Sequence, residues 1–189
     1  MNTHIKIILA SIMVLMPFGS YAQTPSDSIY HNRLFYVCKA WGHVKYYHTE
    51  IANGNVNWDD ELLNAISGIK NAPDNVSFND SLLLMLNSSG VMATSSVPLP
   101  IIPDSLNNNS NHIWIQNPIF LNSTQAILDT IRVRFRPQSN VYVDQAFTDG
   151  NPTFDTDDLY HLGANYPSEN KRILALFRYW NIINYWLCF

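Results

Sequence analysis

Arg172-Ile-Leu-Ala-Leu-Phe-Arg-Tyr-Trp-Asn-Ile-Ile-Asn-Tyr-Trp-Leu-Cys-Phe189 keeps apolar residues at helical spacing throughout and contains neither Gly nor Pro. Such a run predicts a long, aromatic-rich helix. Pro167-Ser168-Glu169, immediately before it, supplies a start signal with Ser168 as the cap. No closing Gly follows Leu187, Cys188 and Phe189, so the expectation is a helix interrupted before its end and a longer protein beyond it. An interrupted helix of this composition is expected to leave a sizeable apolar face uncovered.

The same pattern occurs near the start. Sliding Arg33 onto Arg172 pairs Leu34 with Ile173, Val37 with Leu176, Lys39 with Arg178, Trp41 with Trp180 and Val44 with Ile183. It also pairs Tyr46 with Tyr185 and Tyr47 with Trp186. Two unrelated aromatic core helices are the alternative explanation of the likeness on spacing alone.

Between these runs the elements follow from local signals. Leu34, Val37, Cys38, Trp41, Val44 and Tyr47 predict a helix from Asn32 to about His48, which Asn53-Gly54-Asn55 ends. Asn57 is a candidate cap for a second helix, with Asp59, Asp60 and Glu61 at its positive end and Leu62, Leu63, Ala65, Ile66 and Ile69 inside. Ser77-Phe-Asn-Asp80 reads as a capping box for a third helix, running through Leu86 and closed by Gly90. Val97 to Asn111 is rich in Pro and Asn and reads as loop. His112 to Gln116 and the strictly alternating Ile131-Arg-Val-Arg-Phe-Arg136 read as strands. A strand within Asn140 to Phe147 is expected to pair with Thr153-Phe154 across Gly150-Asn-Pro152. The fold class is therefore mainly α, a helical domain with a small β element.

Met1 to Ala22 has the form of a signal peptide: Lys6, an apolar stretch from Ile7 to Phe18 too short to span a membrane, then small residues at Ser20 and Ala22. The organisation expected is a signal peptide at 1–22, a linker at 23–30 and a helical domain at 31–189. Export to the periplasm or the extracellular space follows, with no membrane attachment after cleavage. A net charge of −4 provides no footprint for nucleic acid. With 14% charged and 13% aromatic residues, the chain suits a dry core rather than disorder. Cys38 and Cys188 are expected as two buried thiols.

No catalytic, cofactor-binding or metal-ligating residue emerges. His43 and His48 face different sides of their helix, and His31, His112 and His161 are isolated. Ser67-Gly-Ile-Lys70 and Ser168-Glu-Asn-Lys171 match Ser-x-x-Lys, but the Ser-Asp-Asn and Lys-Thr-Gly partners of that motif are absent. Asp59, Asp60 and Glu61 suit a helix start, and Asp155, Asp157 and Asp158 suit a turn. The aromatic stripe of Trp41, Tyr46, Tyr47, Tyr179, Trp180, Tyr185 and Trp186 reads as core before it reads as a sugar or peptide platform. Lys39, Lys45 and Arg178 are expected to snorkel from its rim.

Lys39-Ala-Trp-Gly-His-Val-Lys-Tyr-Tyr-His48, followed by Asn57-Trp58-Asp59 and Glu61-Leu62, resembles the opening of exported serine peptidases of the carboxyl-terminal-processing (tail-specific, tricorn-related) family. Arg172 to Tyr185 is similar to the second signature of the same N-terminal region, and Asn151-Pro-Thr-Phe154 and Tyr166-Pro167 fit what precedes it. Thr49 stands where that family usually has Pro, and Leu187-Cys-Phe189 replaces its usual Phe-Pro-Tyr. The resemblance implies a downstream PDZ-like module and a protease domain, with polypeptide as substrate. In that domain a serine activated by a lysine or histidine attacks the peptide carbonyl. No catalytic residue of the family falls on this chain.

Overall fold

The computed structural model describes residues 25–92, 111–134, 137, 139–145, 152–154 and 166–186. The expected signal peptide, most of the Pro- and Asn-rich segment, Asp155, Asp157, Asp158, His161 and Cys188 lie outside the described residues. The fold is mainly helical: α1 (Pro25–Tyr47), α2 (Thr49–Ala52), α3 (Trp58–Asn71), α4 (Asn75–Ser88), α5 (Asn122–Val133) and α6 (Glu169–Trp186). The β element is a two-stranded antiparallel ribbon, β1 (Asp144–Gln145) against β2 (Pro152–Thr153), with Asp144 opposite Thr153. It falls one residue earlier than expected on its second strand: Pro152, read as part of the turn, stands opposite Gln145, and Phe154 lies outside the strand.

Starts and stops follow capping chemistry. Asn57 and Asp60 form a reciprocal box at the start of α3: Asn57 Oδ1 accepts from Asp60 N (3.4 Å) and Asn57 Nδ2 donates to Asp60 Oδ2 (2.6 Å). Ser168 Oγ accepts from Lys171 N (3.4 Å), as expected for the cap of α6. Gly90 closes α4 at φ +81°, where a side chain would be strained.

Several elements differ from the sequence expectation. The first helix begins at Pro25, a residue suited to a first helical turn, so it takes in residues 25–30 of the stretch read as linker. The cap of α4 is Asp74, whose Oδ1 accepts from Ser77 N at 2.7 Å; Ser77 is the third residue of the helix rather than its cap. That hydrogen bond holds the Asp74 carboxyl below its usual pKa. Ile113–Gln116 is a 3-10 turn, not a strand. Ile131-Arg-Val133 is the last turn of α5, and Arg134, its C-cap, is extended; Phe135 and Arg136 lie outside the described residues. Local alternation there loses to the amphipathic pattern of the whole helix, which buries Thr124, Leu128 and Ile131 on one side.

The core is continuous, running from Val37, Trp41 and Val44 of α1 through Leu62 and Ile66 of α3 and Phe78 and Leu82 of α4 to Leu128 of α5 and Leu174 and Phe177 of α6. Its chief architectural fact is the pairing of α1 with α6. Tyr30 OH reaches Glu169 Oε1 (3.5 Å), a separation of 139 residues. The Tyr46 and Tyr185 rings lie 5.1 Å apart at the same offset. Between them Gly42 faces Asn181, again in that register, and a Cβ on Gly42 would stand 1.8 Å from Asn181 Oδ1. The two echoing helices therefore run parallel and in the register of their sequence match. Antiparallel to both, α3 lies in one groove of the pair: Asp59 at its start meets Arg178, and Lys70 near its end meets Glu169 at 2.6 Å.

Candidate functional site

The most highly organised polar region is the buried junction of α1, α3 and α6. Trp41 Nε1 donates to Trp58 O (3.1 Å), and Trp58 Nε1 donates to Trp41 O (2.9 Å). Each indole thereby satisfies its N–H while its ring fills the core. Arg178 Nη2 donates to Asp59 Oδ2, with both side chains almost wholly buried. Asn181 Nδ2 donates to Cys38 O (3.1 Å) and Phe177 O (2.8 Å), tying α6 to the backbone of α1 beside Gly42. Lys45 is fully buried, its Nζ 4.3 Å from the Tyr142 ring centre and 4.8 Å from that of Trp41. Two of the three cations expected to snorkel from an aromatic rim thus lie inside the core. Only Lys39 is half-buried, with its Nζ over the rings of Phe35 (5.2 Å) and Trp114 (5.7 Å).

These groups suit structure rather than turnover. Burial pushes the Cys38 thiol up to about 12, which makes it a poor nucleophile at neutral pH. Lys70, of the first Ser-x-x-Lys match, is tied to Glu169, and that hydrogen bond raises its pKa above the usual lysine value. A base must first give up its proton, and this lysine holds on to it. Ser67 Oγ accepts from Asn71 Nδ2 (3.5 Å), and Ser168 of the second match is spent as a cap.

The histidines assort differently from expectation. His43 is fully buried and donates from Nε2 to Leu128 O (3.1 Å). His112, read as isolated, meets His43 edge-to-face with ring centres 5.1 Å apart, beside Tyr47, and His43 also touches Trp114. Among the described residues no group of three His, Cys, Asp or Glu side chains is placed to hold a metal ion. His48 faces a depression of about 310 Å³ lined also by Ser89, Met92, Ile131 and Arg134. Burial lowers its pKa, against weaker upward pulls from Glu50 and the Gly90 backbone.

A second structural site was invisible in the sequence. Asn79, buried in α4, donates from Nδ2 to Asn75 O (2.8 Å) and Ile119 O (2.9 Å). Its Oδ1 accepts from Leu121 N (2.9 Å) and Thr124 Oγ1 (2.8 Å). Asn79 thereby supplies, from another helix, the cap that Leu121 at the start of α5 has no side chain to provide. Nothing in local spacing marks such a role.

On the outside, α6 exposes Leu176 (61%), Tyr179 (66%) and Trp180 (43%). Phe35 of α1 joins them, exposed at 44% with its ring 6.4 Å from that of Trp180. The uncovered apolar face expected on this helix is present. It forms with α1 an aromatic groove on the side of the pair away from α3. Comparison of the chain with protein-family models, with curated proteins and with solved structures found no match.

Proposed function

We propose that the chain is the non-catalytic N-terminal helical scaffold of an exported serine peptidase of the carboxyl-terminal-processing type. The observation that supports this reading is the use made of the two aromatic signatures. Trp41, Lys45 and Tyr46 from the first and Phe177, Arg178 and Asn181 from the second are all buried at one helix junction. A signature whose distinctive residues hold helices together serves assembly, not bond cleavage. In a complete enzyme of this type the domain packs against the protease core and restricts access to its cleft. The PDZ-like and protease domains are its partners, and polypeptide is the substrate. Its compartment is the periplasm or the extracellular space.

Two measurements test the reading. The purified chain is expected to leave an unfolded protein substrate intact, and the gene from which it comes is expected to encode a PDZ-like module and a serine-protease domain as well. Turnover that disappears on Ser168→Ala would overturn it.

A second reading, a stand-alone exported binding module, is favoured by the exposed Leu176, Tyr179 and Trp180. It predicts a monomeric, cooperatively folded product that binds a ligand and has no peptidase coding sequence downstream.

A further inference from the structure

The residues that seat α3 against the α1–α6 pair are the ones the two helices share. Arg33 Nη1 donates to Ala72 O just past the end of α3 (2.7 Å). Val37 is buried, Trp41 exchanges hydrogen bonds with Trp58, and Arg178 meets Asp59 in the first turn of α3. One helix thus supplies a cation for the C-terminal carbonyl of α3, and the other a cation for its N-terminal carboxylate.

Parallel helices in matched register are related by an approximate two-fold rotation about the axis between them. That rotation carries Arg33 onto Arg172, Val37 onto Leu176, Trp41 onto Trp180 and Arg178 onto Lys39. The four counterparts lie on the opposite side of the pair, where Trp180 meets Phe35 and Lys39 lies over the same Phe35 ring. They line a second groove of the same construction; its α6 wall is open, while Lys39 at its α1 wall is half-buried beside Trp114. Leu176 is 61% exposed where Val37 is 0%, and Trp180 is 43% exposed where Trp41 is 0%. Among the described residues no carboxylate pairs with Lys39. Furthermore, α6 carries two apolar stripes, Ile173, Leu174 and Phe177 inside and Leu176, Tyr179 and Trp180 outside. A helix apolar on both sides is suited to burial on both sides.

We propose that this second groove is a docking site for an amphipathic helix of a partner polypeptide, built like α3 and running antiparallel to α6. Its first turn carries an aromatic residue followed by a carboxylate, as Trp58 and Asp59 do in α3. Trp180 receives the aromatic residue and Lys39 the carboxylate, and Arg172, which in the free chain donates to Tyr166 OH, turns from it to the last carbonyls. Lys39 rejects a basic first turn, which makes the choice of partner selective. A second copy of this chain is a poor occupant, because its own α3 is already buried in its own first groove. The inference rests on the helix pair alone and stands apart from the peptidase reading.

The test uses the full chain and a synthetic peptide with the sequence of residues 56–72, side-chain cross-linked between the positions of Asn64 and Gly68 to hold it helical. Peptide anisotropy is expected to show saturable binding. Leu176→Asp, at an exposed position that leaves the fold intact by circular dichroism, is expected to weaken it about tenfold or more. Lys39→Gln is expected to weaken it about three- to tenfold, and a peptide with Lys in place of Asp59 to bind correspondingly less. The proposal is overturned by no saturation at millimolar peptide, or by binding indifferent to Leu176→Asp and Lys39→Gln. It is overturned equally by self-association of the chain that Leu176→Asp abolishes, since a second copy would then occupy the groove.

Discussion

Replacing Arg178 by Met removes one half of the ion pair that joins α6 to α3 while keeping most of the apolar stem. The Arg178 and Asp59 side chains are only 7% and 5% exposed, so water cannot take the place of the missing partner. Asp59 would be left as an uncompensated buried carboxylate, and breaking a buried pair in this way costs about 3–5 kcal/mol. Urea unfolding followed by circular dichroism reads that cost directly. With a slope of about 2 kcal/mol/M, the midpoint is expected to fall by roughly 2 M. The reverse single change, Asp59→Leu, strands the guanidinium and is expected to cost a similar amount. The double variant Asp59→Leu/Arg178→Met removes both charges and fills the space with apolar atoms. It is expected to return to within about 1 kcal/mol of the parent or to exceed it, because the desolvation of both ions is then avoided. The reasoning fails if Arg178→Met moves the midpoint by less than about 0.5 M, or if the double variant is as unstable as the two single ones combined.

Gly42→Ala drives a methyl group into Asn181 Oδ1, which is fixed by the bonds from its amide to α1 and α6. A loss of about 1–3 kcal/mol is expected in the same assay, recovered in part by adding Asn181→Ala. Asn79→Leu strands the Leu121 N–H and the Thr124 hydroxyl at the start of α5. It is expected to cost at least about 2 kcal/mol and to speed amide exchange first in residues 122–126. His48 has its pKa lowered by burial, so below the ordinary histidine value of about 6.5 the unfolded chain binds the proton first. Its contribution to stability is complete above that pH and is lost as pH falls towards the folded-state pKa. Subtracting the profile of His48→Gln from that of the parent should isolate this slope; a difference that does not change between pH 7 and 5 would count against it.

What the sequence disclosed and what it hid divide along a physical line. The Asn57 and Ser168 caps and the Gly90 stop depend on residues a few positions apart and were legible, and the ribbon was legible to within one residue. Helices α1, α3, α4 and α6 too were legible from their apolar periodicity, but α5 was not, although its buried stripe spans three turns. Ile131 to Arg136 misled because six alternating residues weigh less than the twelve-residue stripe that contains half of them. Burial of cations was hidden for a different reason. Lys39, Lys45 and Arg178 are chemically alike in sequence, but Lys45 lies under Tyr142 and Arg178 beside Asp59, partners 97 and 119 residues away. Only the assembled fold assigns those neighbours. Asn79 is the extreme case, since its value lies in backbone groups of a distant loop that no pattern around it announces. The echo between the two aromatic runs was visible, yet its meaning as a register of contact was not. A repeat in sequence does not say whether the copies touch.

The side-by-side pairing of α1 and α6 has a consequence for how the molecule is made. α1's neighbours in α2 and α3 lie within a few tens of residues of it, and His43 must wait for Leu128 of α5, but its flank at Cys38, Gly42 and Tyr46 waits longest, for residues 177 to 185 to leave the ribosome. Contacts of such long sequence separation are closed late and slowly. Until then the nascent chain displays a stripe of tyrosine, cysteine and bare backbone, the kind of transient surface that makes incomplete chains prone to associate.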